Sequence, residues 1–97
     1  MYIDRIIIPA NILDKLSWKH HVSEDEVHEV LRSNPRVELV ERGDVEGEDV
    51  YFGMGQTASG RYLSVFFIHK KNNNAIIISA RDMANKEKKR YGKKKTF

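Results

Sequence analysis

Six side chains suited to phosphate handling and proton transfer are spread along the chain: Lys19, His20, Arg61, His69, Arg81 and Tyr91. A guanidinium is a planar fork that can hold two oxygens at once. Histidine exchanges a proton near neutral pH. RNA cleavage without a metal needs little more. One group must help deprotonate the 2′-hydroxyl, cations must neutralise the phosphorane, and a donor such as tyrosine or lysine must protonate the leaving 5′-oxygen. Each residue also has a plain structural role. Arg81 can pair with Glu87 or another acid. His20 can end a helix and bond a carbonyl. Arg61, beside Gly60, can simply open a strand, and Tyr91 can cover the edge of the core. Glu87 and Tyr91 are four apart, so they share a helix face with Ala84. Spacing alone does not choose between the two sets of roles.

Other chemistries find less support. His20, His21 and His28 are close in sequence, but their spacing matches no metal cage and the adjacent pair must point in different directions. Gly53-Met54-Gly55 lies inside a strand pattern, so it is not a dinucleotide fingerprint. No local signature of a hydrolytic triad occurs. No metal and no cofactor are expected.

The elements that must position these residues follow from the pattern. Ala75 to Ala80 is a short apolar, β-branched run, the chemistry of a buried strand with Arg81 at its tip. Asp82 reads as the cap of a basic helix that starts at once. Upstream, Tyr2 to Ile8 reads as a strand ended by Pro9, with Ile3, Ile6, Ile7 and Ile8 as core candidates. Ala10 to His20 reads as a helix with an apolar stripe at Ile12, Leu13 and Leu16. Trp18 is assigned to the core in preference to a base-stacking platform. His21 stands where a chain leaving a helix favours glycine. Ser23-Glu24-Asp25-Glu26 is a capping box, and Asn34-Pro35 stops the helix it opens.

Four strands follow: Arg36 to Arg42, Val50 to Thr57, Arg61 to Lys70, and the run ending at Arg81. Gly53 and Gly55 share one strand face, which predicts close approach of a helix or ligand. The order is β-α-α-β-β-β-β-α. It predicts an α+β fold in which an antiparallel sheet packs against helices that cover one face. A single domain is expected over residues 1–91, with a loose basic tail over 92–97.

The net charge of +3 is unevenly placed. Residues 82–97 carry seven Lys/Arg against two acids, a net +5, while residues 1–81 carry a net −2. Such an end attracts polyanions, nucleic acid first, unless it is only a solvated tail. Lys88, Arg90, Lys93 and Lys94 are the RNA-binding candidates. The chain contains no cysteine, which fits a cytoplasmic protein. No stretch approaches the ~20 apolar residues that cross a membrane.

The chain resembles the BrnT-type toxins of type II toxin–antitoxin modules. The pieces that carry the likeness are Trp18-Lys19-His20-x-Val22 with the acid-capped helix Ser23 to Leu31; Gly55-Gln56-Thr57 with Gly60-Arg61-Tyr62-Leu63; and Ile78-Ser79-Ala80-Arg81 with Ala84, Glu87 and Tyr91. The resemblance implies a compact RelE-like fold and an endoribonuclease that slows growth. It also implies a ribbon-helix-helix antitoxin that neutralises the toxin, binds DNA and represses the operon. It carries the site onto Lys19, His20, Arg61, Arg81 and Tyr91, with Glu87 in support. A homodimer inside the toxin–antitoxin complex is a further expectation. The alternative is a catalytically degenerate homologue that binds RNA, or its antitoxin in co-repression. Arg81→Ala is the variant expected to separate the two, by removing cleavage while the fold survives.

Overall fold

The computed structural model describes the backbone of residues 1–95 and the side chains of residues 1–92. The expected element order is found. It comprises β1 (Ile6–Ile7), α1 (Ala10–Lys15), a π-helical turn (Leu16–His20), α2 (Glu24–Arg32), β2 (Arg36–Glu41), β3 (Val50–Gln56), β4 (Tyr62–His69), β5 (Ala75–Asp82) and α3 (Asn85–Lys95). The sheet order is β1-β5-β4-β3-β2. Strands β2 to β5 form the expected antiparallel meander. The sheet is nonetheless mixed, because β1 pairs in parallel with β5. Two antiparallel neighbours can be joined by a tight turn, whereas the β1–β5 pair is closed over most of the chain, and local pattern does not reveal it.

Helices lie on both faces of the sheet, where one covered face was expected. Strand alternation explains the division. Leu63, Val65 and Phe67 of β4, with Ala75, Ile77 and Ala80 of β5, point to one face and pack with Leu16, Val22, Val27, Val30 and Leu31. Gly53 and Gly55 belong to that face. A Cβ at Gly55 would stand 3.0 Å from Val30 Cγ1 and 3.3 Å from its carbonyl oxygen, so the missing side chains are what allow α2 to seat. The other face of β3 and β4 holds Phe52, Met54 and Phe66, and it packs with Met83 and Tyr91 beneath α3.

The capping box at α2 is present in full: Ser23 Oγ accepts the Glu26 N–H, and Glu26 accepts the Ser23 N–H. Several local expectations need correction. The first strand shrinks to two residues, and Ile7 is exposed while Ile3 is buried. The helix from Ala10 loosens into the π turn at Leu16, whose side chain takes the core position. Leu16 is inward, as its place in the apolar stripe predicts, and Trp18, two residues on, points outward at 70% exposure and is not a core residue. Asp82 is not a helix cap. It is the last residue of β5, and α3 starts at Asn85. Most of the expected tail, residues 93–97, has side chains outside the described residues.

Candidate active site

Arg81 and Asp82 are consecutive residues at the end of β5, so their side chains leave on opposite faces of the sheet. Each meets a counter-charge there. On the α3 face, Arg81 makes a forked pair with Glu87, Nη1 to Oε1 and Nη2 to Oε2, both at 2.8 Å. Glu87 Oε1 also accepts from Ser64 Oγ at 2.8 Å and from the Ala84 N–H at 2.9 Å. Glu87 is buried, and four donors holding one carboxylate favour its charged form. Arg81 above all, then the Ala84 amide and Ser64, hold its pKa at about 2, against an ordinary 4.5 and against the opposing effect of burial. Arg81 lies over the Phe66 ring at 5.1 Å and also donates to the Asp82 carbonyl.

On the opposite face Asp82 accepts from Arg61 Nε at 2.8 Å. Arg61 does much more. Its Nη1 donates to the His21 carbonyl at 2.7 Å and to Glu26, and its Nη2 donates to the His20 carbonyl at 2.9 Å. One guanidinium thus ties together the tip of β5, the start of α2 and the end of the π turn. His21 has left-handed backbone angles (φ 53°, ψ 40°), as its place after the helix suggested. Arg61 grips the carbonyls on either side of that reversal. The bond to Asp82 raises the Arg61 pKa. Arg61 in turn lowers that of Asp82, with smaller help from the charges of Lys88 and His20.

The sequence candidates therefore divide. His20, Arg61, Arg81, Glu87 and Lys88 stand at one end of the sheet, with the Arg61–Asp82 pair on one face and the Arg81–Glu87 pair on the other. Lys19 is exposed on the π turn beside His20. Lys88 Nζ lies over the Tyr62 ring at 5.7 Å. Tyr91 is buried among Phe52, Met54 and Met83, edge-on to Tyr62 at 6.0 Å. Arg90 is drawn to β2, where its Nε meets Glu38 at 3.1 Å. His69 lies at the other end of β4, bonded to the Tyr2 carbonyl. The side chains of Lys93 and Lys94 are outside the described residues. Sequence reasoning passed over Asp82, Glu26 and Ser64 as site components. Glu26 had a complete local explanation as a capping residue, and Ser64 sat in an apolar run. Asp82 had a signal in strand alternation, since the residue after Arg81 must face the opposite helix layer.

Among the described residues, no three His, Cys, Asp or Glu side chains converge as metal ligands. A cleft of about 310 Å³ lies away from this end, bordered by Tyr2, Ile3, Leu31, Arg32 and Pro35. Its Arg32 is engaged with the carbonyls of Ile3 and Asp4, and no proton-transfer pair lines it. The charged end of the sheet is therefore the candidate site.

Residues 14–87 match the family model described as the ribonuclease toxin, BrnT, of type II toxin–antitoxin systems. The chain belongs to this family. BrnT membership carries with it a ribonuclease toxin's RNA target and an antitoxin partner. The matched span begins just before the π turn and ends at Glu87, so it takes in both arginine pairs. No curated protein matches the chain. No described helix of this BrnT chain is long and apolar enough to cross a membrane.

Proposed function

We propose that the chain is a metal-independent endoribonuclease toxin whose site is the charged end of the sheet, and that a ribbon-helix-helix antitoxin neutralises it. The observation that carries this reading is the presence of His20, Lys88, Arg61–Asp82 and Arg81–Glu87 at the one end where β4 begins and β5 finishes. His20 takes the proton from the 2′-hydroxyl as that oxygen attacks phosphorus. Lys19 or Lys88 gives a proton to the 5′-oxygen as the P–O5′ bond breaks, leaving a 2′,3′-cyclic phosphate and a free 5′-hydroxyl. Arg81 commits three of its five N–H donors to Glu87 and the Asp82 carbonyl. The remaining edge, on a side chain 36% exposed, is its contact for a phosphate oxygen. Arg61 acts as a positioning residue, because four of its five donors hold Asp82, Glu26 and the turn carbonyls. Tyr91 positions α3 from below.

A second reading, a catalytically degenerate homologue that only binds RNA or the antitoxin, draws on one observation. Both arginines expected to grip phosphate are already neutralised by carboxylates. One experiment separates the two. Purified protein is incubated with RNA in EDTA, beside His20→Ala. The Arg61 clamp takes the His20 carbonyl rather than its ring, so the variant keeps the turn. Cleavage that falls by about a hundredfold or more supports the catalytic reading. RNA left intact, yet bound with a salt slope of about 0.7 per phosphate contacted, supports the degenerate one. Arg81→Ala is the poorer test, because it strands a buried Glu87 carboxylate.

A further inference from the structure

The π turn that carries Lys19 and His20 also carries the chain's one tryptophan. Trp18 is 70% exposed, while Leu16, two residues earlier, is buried to 1%. The turn beneath the indole is firmly held. The His21 N–H bonds the Ser17 carbonyl at 3.2 Å, the Val22 N–H bonds the Leu16 carbonyl at 3.0 Å, and Arg61 grips the carbonyls of His20 and His21. An aromatic on a preorganised turn loses little freedom when something stacks on it. Within a turn of Trp18 on either side the chain offers Lys15, Lys19, His20 and His21 against one acid, Asp14, and carboxylates resume only past Ser23.

We infer that Trp18 is the stacking platform for one unpaired nucleobase of the RNA, flanking the phosphate that His20 and Lys19 address. The inference rests on the ribonuclease reading for its ligand. Protein interfaces surround a buried aromatic anchor with further apolar contacts. Here the exposed residues one turn away from Trp18, Asp14, Lys15 and His21, are polar, so within the turn the indole stands as a single apolar ring. One ring with cations beside it matches one base and its phosphates. Every base has a π face, so the contact selects for single strands rather than for sequence. Trp18 and His20 are two residues apart in a helical turn, so their side chains leave on nearly opposite sides, a helix diameter (~10 Å) apart, and the stacked base lies a nucleotide or more beyond the phosphate that His20 addresses.

The sole tryptophan is its own reporter. An uncleavable single-stranded 2′-O-methyl oligonucleotide should quench its fluorescence. The same oligonucleotide in a duplex, or an abasic strand of equal length, should not. Measured by anisotropy of a labelled strand, Trp18→Ala should bind roughly tenfold or more weakly, and Trp18→Phe within about twofold of the parent. Equal quenching by the abasic strand, or unchanged RNA affinity in Trp18→Ala, overturns the platform. So does a Trp18→Ala protein that loses the antitoxin but not RNA. Cleavage without base-dependent quenching refutes the platform alone. Base-dependent quenching without cleavage refutes the catalytic reading alone.

Discussion

Glu87→Gln removes one charge and keeps the shape. The amide oxygen can still accept from Ser64 and the Ala84 N–H, so the change isolates the ionic part of the Arg81 pair. A carboxyl held at about 2 rather than 4.5 has its charged form favoured by about 3 kcal/mol. Part of that belongs to the Ala84 and Ser64 bonds that the amide keeps, and Arg81 is 36% exposed to solvent screening, so the ionic share is reduced to about 2 kcal/mol. The sign follows from the lowered pKa. Above the unfolded value of 4.5 the full stabilisation is present, and it is lost as pH falls through 4.5 towards 2, because the unfolded chain takes up the proton first. Urea unfolding at neutral pH should place Glu87→Gln about 2 kcal/mol below the parent, with a melting temperature lower by roughly 10 °C. The gap should narrow steadily below pH 4.5 and close near 2. A gap that stays constant across that range, or one smaller than about 0.5 kcal/mol at neutral pH, refutes the assignment of a stability role to the ion pair.

Two further outcomes test the scaffold. Gly55→Ala drives a methyl against Val30 Cγ1 and its carbonyl, and it should cost about 1–3 kcal/mol of unfolding free energy by denaturant titration. His21→Gly relieves a left-handed residue while leaving the carbonyl that Arg61 holds, so it should raise stability by about 0.5–1 kcal/mol in the same assay.

What could be read from the sequence was what neighbours in the chain decide. The capping box at Ser23, the reversal at His21, the hairpin strands and the glycine face of β3 all arise from contacts or dihedrals within a few residues. The Arg81–Glu87 pair was one of two readings left open, and six residues separate its members. The parts that escaped depend on distance or on the side of a turn that a residue takes. Leu16 is buried as the stripe with Ile12 and Leu13 predicts, and Trp18, assigned to the core for its size and apolarity, lies two residues on and so on the opposite, outer side of the turn. Arg61 finds its carboxylates 35 residues upstream and 21 downstream, and no local pattern joins them. The second covered face has the same origin: α3 reaches Phe52 and Met54 of β3 only after the chain has folded back twice.

The opposite placement of Arg81 and Asp82 also sets an order of assembly. Synthesis delivers the turn bearing Lys19 and His20 early, but both carboxylate–arginine locks need the last strand, and one needs α3 as well. A growing chain that ends short of residue 82 has the turn without its Arg61–Asp82 brace, and one that ends short of residue 87 leaves Arg81 without its partner. The site proposed above therefore comes into being only once residues 82 to 87 have been made. Truncation before residue 82, or loss of α3, should yield a chain with the early elements and without the full pair of arginine–carboxylate locks.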